Sequence, residues 1–265
     1  MSLTSYRPRL GNLPTVLDTI FAQTLPPDKV VLNLAFDEVL PVDVAEYIDE
    51  HNIEVYRVPD TKVYKKLIPT LKRYPYDAII SIDDDWLYPS GMIKDFVDTH
   101  KALPNNPISG NGDVVFETKC HCGCASLTKS VYWGEWLDLL DDAIIQHCPS
   151  DDMVYTYFSV KAGHPYVKTK GLYTTNMTSY NGEEAYSMEY PTGVLDTYKY
   201  LTSRFGALPN FIESYIGSGP LADQIYNLHK TIETDNGDDI RASMAFRIGK
   251  TITKPFQMVK TFFKQ

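Results

Sequence analysis

The chain has 265 residues, 43% of them hydrophobic and 22% charged, and carries a net charge of −9. It reads as an ordinary soluble globular protein with material for a sizeable core, and its acidity argues against nucleic acid as a main partner. No run approaches the ~20 apolar residues of a bilayer span and no signal-peptide core opens the chain, so the expectation is a cytoplasmic protein.

Leu3-Thr4-Ser5-Tyr6 reads as the end of a short first strand, running into a loop with Arg7, Pro8 and Arg9. Residues 13–23 form a predicted helix, with Leu13, Val16, Leu17, Ile20 and Phe21 on one face. Pro26-Pro27 breaks the chain before a second strand at 29–34. A helix at 42–51, a third strand at 53–58 and a helix at 63–74 follow. Lys62, Lys65 and Lys66 crowd the start of that last helix, where basic side chains oppose the helix dipole. They are better placed if an anion binds nearby.

The fourth strand, Ala78-Ile79-Ile80-Ser81-Ile82, is apolar and β-branched, and it ends in Asp83-Asp84-Asp85. Three adjacent carboxylates repel one another and are costly to hold without a counter-ion. In open α/β sheets, ligands bind beyond the carboxyl ends of the strands. Carboxylate oxygens there suit a hard divalent cation such as Mg²⁺ or Mn²⁺. The plainer alternative makes Asp85 a cap for a helix opened by Pro89 or Ser90. Three acids followed by Trp86, which is no strong helix former, favour a metal site that neutralises a phosphorylated substrate. Strands separated by single helices imply a largely parallel, doubly wound α/β sheet.

Beyond residue 105 the pattern loosens into a strand at 112–116, a cysteine segment and a helix around 131–140. Cys120, Cys122 and Cys124 alternate as on one strand face, but the C-x₂-C spacing of a zinc knuckle is absent. These and Cys148 are expected to be reduced thiols. Ser150 suits an N-cap, with Asp151 and Asp152 in the first turn of a helix reaching residue 162 and closed by Gly163.

Residues 241–265 hold Arg241, Arg247, Lys250, Lys254, Lys260 and Lys264 and no acid, whereas the first 240, with 19 basic and 34 acidic residues, carry −15. Met244, Ile248, Ile252, Phe256, Val259 and Phe263 recur at helical spacing, interrupted at Pro255. Such a basic amphipathic segment fits an anionic membrane surface on the inner face of the cell membrane. It fits equally the protein's own body or a second copy in a homodimer.

Five blocks, in this order and spacing, carry a resemblance. They are Ser2-Leu3-Thr4-Ser5-Tyr6, Gln23-Thr24-Leu25-Pro26-Pro27-Asp28-Lys29, Tyr64-Lys65-Lys66-Leu67-Ile68-Pro69-Thr70-Leu71, Asp83-Asp84-Asp85 with Tyr88-Pro89, and Asp151-Asp152 before an aromatic helix. Over residues 2–165 the chain resembles bacterial glycosyltransferases of the GT-A fold, broadly the inverting family 2 type, found in clusters that build capsule, lipopolysaccharide and related surface glycans. The resemblance implies a GT-A (Rossmann-like) α/β domain over residues 1–240, with a mixed, mostly parallel sheet flanked by helices. A helical C-terminal extension at 241–265 follows.

The resemblance further implies that the acids form a DxD motif, with Asp83 and Asp85 as the pair. They would hold Mn²⁺ or Mg²⁺ on the diphosphate of a nucleotide-sugar donor, a UDP-sugar being favoured. Asp85 would be the direct ligand, with Asp83 or Asp84 at the ribose or sugar. Thr4, Ser5 and Tyr6 would line the base pocket, and Arg7, Lys62, Lys65 and Lys66 are candidate phosphate contacts. Asp152, or its neighbour Asp151, would be the base that deprotonates a hydroxyl of a glycan or lipid-linked acceptor. In one departure from the family, the apolar run of the first strand is nearly absent. In another, Met153 and Val154 precede Tyr155 where the family has an aromatic residue at once.

Two other readings stay open on the residues alone. A haloacid-dehalogenase-type phosphatase or phosphotransferase also sets D-x-D after a strand, but wants Thr or Val shortly after the second Asp, where Trp86 and Leu87 stand. A non-catalytic nucleotide-sugar-binding module is the other.

Overall fold

Residues 1–110, 125–169 and 193–208 are described by the computed structural model, and all of them belong to one of the two units into which the chain divides. The expected strand at 112–116, Cys120, Cys122, Cys124 and the basic segment 241–265 lie outside the described residues.

Four strands follow the expected alternation: β1 (Ser2–Thr4), β2 (Val31–Ala35), β3 (Glu54–Val58) and β4 (Ile79–Ile82). They pair in parallel in the order β3-β2-β1-β4. All five residues of β2 are buried, as expected of a strand covered on both faces. The helices between strands are α1 (Leu13–Phe21), α2 (Val42–Glu50) and α3 (Ile68–Arg73). In α1 the predicted face is the buried one, with Leu13, Val16, Leu17 and Ile20 all fully enclosed.

Beyond β4 the sheet changes character. After α4 (Met92–Ala102) come β5 (Ile108–Ser109) and β6 (Ala125–Thr128), and β6 lies antiparallel between β4 and β5. The last strand, β7 (Val167–Lys168), pairs parallel to β5. The sheet is therefore mixed and mostly parallel, with seven strands in the order β3-β2-β1-β4-β6-β5-β7. Helices α5 (Asp142–His147), α6 (Asp151–Lys161) and α7 (Gly193–Phe205) complete the described elements. Helix α6 buries every residue from Met153 to Val160, and the Tyr157 hydroxyl donates to the Leu201 and Gly206 carbonyls at the end of α7.

Three local expectations are corrected. The helix at 63–74 is instead a 3₁₀ turn (Lys62–Lys66) followed by the short α3, because Pro69 restricts its predecessor and tolerates a helix only in its first turn. The helix at 131–140 is two 3₁₀ turns, Ser130–Tyr132 and Gly134–Leu139. Gly134 adopts φ +53° where the two meet, and the buried Trp133 donates its indole N–H to Thr128 Oγ1 at 2.9 Å. Finally, α4 is capped by Gly91 without a side-chain bond, so Asp85 is not a helix cap.

The cap on α6 is as expected: Ser150 Oγ accepts the Met153 N–H at 3.2 Å, and Gly163 follows the helix at φ +86°. Ser150→Ala should therefore lower stability by ~1 kcal/mol. Urea denaturation of the two proteins checks this, and an unshifted midpoint would show the hydroxyl contributes nothing.

Candidate active site

Strand order reverses between β1 and β4, with β2 and β3 lying to one side and β6, β5 and β7 to the other. A crevice opens at such a switch point beyond the carboxyl ends of the strands. Ser5 follows β1 there, and Asp83, Asp84 and Asp85 follow β4. The turn that carries the acids is fixed by Tyr88. Its hydroxyl accepts the Asp83 N–H at 2.9 Å and donates to the Asp83 carbonyl at 3.2 Å.

Each carboxylate meets a protein partner. Ser5 Oγ donates to Asp84 Oδ2 at 2.6 Å. A single nitrogen of Arg9, Nη1, lies 3.1 Å from Asp84 Oδ1 and 3.0 Å from Asp85 Oδ2. Asp83 turns the other way, its Oδ1 2.8 Å from Lys66 Nζ. The same Nζ is 2.9 Å from Asp151 Oδ2 and 3.7 Å from Asp152 Oδ1, at the start of α6. The two acid blocks found in the sequence thus form one cluster, joined through Lys66.

Five carboxylates share two cations, so three negative charges remain uncompensated when all are ionised. The acids register this. Burial, reinforced by Asp83 and opposed by Arg9, pushes the Asp85 carboxyl up to about 6. Burial also raises Asp84, against Ser5 and Arg9, and lifts Asp151 to about 7 despite Lys66. For Lys66 burial works against the charge, but Asp151, Asp83 and Asp152 together outweigh it and hold the ammonium well above its ordinary value.

This donor set fits a hard divalent cation. Carboxylate oxygens match its chemistry, and the uncompensated charge would favour it. Among the described residues no three His, Cys, Asp or Glu side chains group to hold an ion by themselves. Mg²⁺ and Mn²⁺ use one or two protein carboxylates and take further ligands from water and substrate phosphates. Asp85, now paired with Arg9, and Asp83, now paired with Lys66, are the residues that would hold such an ion.

The other predicted residues divide. Thr4 commits its hydroxyl to the Asn33 carbonyl at 2.7 Å, bracing β1 against β2. Tyr6 is 43% exposed, its ring 5.5 Å from the Arg9 guanidinium. Arg7 and Lys62 are exposed, and Lys65 pairs with Asp60. Arg9 is the functional candidate that sequence reasoning did not single out. The available signal was a second arginine two residues after Arg7, in the segment that leaves β1 beside the switch point. Cys148 is a buried free thiol, pushed by burial up to about 12 and hence inert.

No protein-family model matches the chain, and no curated protein matches its sequence. Its structure is similar to that of the 1–349 portion of S. aureus TarS in complex with UDP-GlcNAc, with TM-score 0.53 and 13% identity over 84% of this chain and 68% of that one. Similarity is lower to 4-diphosphocytidyl-2C-methyl-D-erythritol synthase, with TM-score 0.45 and 11% identity over 71% of this chain and 92% of that one. It is lower too to a cytidylyltransferase from Leptospira borgpetersenii, with TM-score 0.44 and 12% identity over 73% and 83%. The chain has a GT-A-like fold. In that fold the acid cluster lies at the switch point, beyond the ends of β1 and β4. No helix among the described residues is long and apolar enough to cross a membrane.

Proposed function

We propose that the protein is a metal-dependent, inverting glycosyltransferase. It moves a sugar from a nucleotide-sugar donor, a UDP-sugar being favoured, to a glycan or lipid-linked acceptor in bacterial surface polysaccharide synthesis. The observation that carries this is the union of Asp83, Asp84 and Asp85 with Asp151 and Asp152 around Lys66, beyond the ends of β1 and β4. The likeness in fold to TarS, whose structure holds UDP-GlcNAc, supports the choice of donor.

A divalent cation held by Asp85 and Asp83 would supply Lewis-acid stabilisation of charge developing on the leaving diphosphate. Asp152 is the better base of the acid pair. Its side chain is 21% exposed against 10% for Asp151, and it stands farther from Lys66. Asp151, 2.9 Å from Lys66 Nζ, is the residue that anchors the ammonium. In the reaction, the hydroxyl proton passes to Asp152 while the acceptor oxygen bonds to the anomeric carbon. The bond from that carbon to the diphosphate breaks, its electron pair leaving with the phosphate. A single displacement of this kind inverts configuration. A carboxylate is a weak base at neutral pH, so alignment must contribute most of its effect.

Incubation with a panel of sugar nucleotides and Mn²⁺ tests the reading. Release of nucleoside diphosphate from one donor is expected, abolished by EDTA and by Asp85→Ala. Release of inorganic phosphate from simple phosphoesters would instead establish a phosphatase, and affinity without turnover a binding module.

A further inference from the structure

We infer that Lys66 is a positioning residue, which ties Asp151, the neighbour of the base Asp152, to the donor-side carboxylate of Asp83 and makes no contact with donor phosphate. The inference rests on the reading of Asp152 as the base. An ammonium has three N–H donors. Lys66 donates to Asp83 Oδ1 at 2.8 Å, its Nζ lies 2.9 Å from Asp151 Oδ2 and 3.7 Å from Asp152 Oδ1, and the side chain is only 8% exposed. Two carboxylates within 3 Å and this burial turn the ammonium towards the acids. Lys65, its neighbour in sequence, is drawn off to Asp60, and Lys62 stands exposed.

The backbone that delivers Lys66 is anchored on two sides. Towards the sheet, the Ser2 hydroxyl donates to the Lys66 carbonyl at 2.5 Å and lies 2.7 Å from Thr70 Oγ1. The Asn33 amide in turn donates to that threonine at 2.9 Å. Towards α6, Tyr64 Oη donates to the Cys148 carbonyl at 2.6 Å, and its ring meets Tyr155 edge-on. These buried bonds fix the 3₁₀ turn between the sheet and the entrance to α6. The ammonium is thus built in as a bridge between the two acid blocks.

Lys66→Met keeps the stem and removes the charge. Turnover of the sugar nucleotide should fall about 100-fold or more, the scale of a misplaced general base. The Kd for UDP with Mn²⁺, by calorimetry, should stay within about threefold, because uniform donor binding is untouched. A lysine that gripped phosphate would do the reverse, and a tenfold or greater rise in Kd with kcat retained overturns the inference. Lys66→Met/Asp151→Asn removes a matched pair of charges and guards against simple misfolding. It should fold, bind UDP as the native chain does, and remain slow. Recovery of native kcat in this double variant would mean that Lys66 only neutralises Asp151, and would also overturn the inference. Failure of the native chain itself to bind nucleoside diphosphate or turn over any sugar nucleotide is a separate result, and it would overturn the functional reading on which the inference rests.

Discussion

Asp152→Asn should lower kcat by about 10²- to 10⁴-fold while leaving the affinity for UDP and Mn²⁺ unchanged. An amide keeps the size and shape of the carboxylate but cannot take a proton from an acceptor hydroxyl. Helix α6 is unaffected, since its cap belongs to Ser150 and its packing to Met153 through Val160. Lys66 keeps its closer partners, Asp83 at 2.8 Å and Asp151 at 2.9 Å. The loss should therefore fall on the chemical step rather than on binding, a split that steady-state kinetics and calorimetry together resolve. An Asn variant with native kcat, beside an inactive Asp151→Asn, would exchange the two roles.

Asp151→Asn should give a folded protein more stable than the native chain at pH 8, with the advantage largely gone near pH 4. The Asp151 carboxyl is pushed by burial up to about 7, well above the ~3.9 of an aspartate in an unfolded chain. Between those two values the folded state holds a proton that the unfolded state has lost, so stability falls as pH rises through that window. The strain is complete above pH 7 and amounts to at most about 4 kcal/mol, at 1.36 kcal/mol for each pH unit, less the attraction by which Asp151 holds the buried Lys66 charged. Asparagine carries no such dependence. The substitution also spares Lys66 from isolation, because Asp83 and Asp152 remain beside it. This is the pattern of a site whose charge is kept for chemistry at a cost in stability. Urea unfolding of both proteins at pH 4 and pH 8 measures it. A variant less stable than the native chain at pH 8 would show that Asp151 is well compensated after all.

Much of this was legible in local sequence. The apolar run into Asp83-Asp84-Asp85 marked both a buried strand and its reactive end, because hydrophobic patterning and the change to charge lie within eight consecutive residues. The face of α1 and the Ser150 cap were legible for the same reason: periodicity and capping are set by neighbours three or four residues apart. The break at Leu67 was also in the sequence, in Pro69, but the apolar residues on either side read as one helix.

The partners of the acids were not legible. Ser5 and Arg9 lie 79 and 75 positions from Asp84, and Lys66 stands among three lysines that are alike by composition. A 3₁₀ turn and the reach of Tyr64 to the Cys148 carbonyl decide which of the three meets the acid blocks. The insertion of β6 antiparallel between β4 and β5 was equally beyond local pattern, since short buried strands look the same in either direction. The sequence by itself determined the elements, the acid blocks and the resemblance they carry, because each depends on residues adjacent along the chain. Only the tertiary structure decided which charges meet, because ion pairing depends on distance through space and on burial, and folding alone sets both.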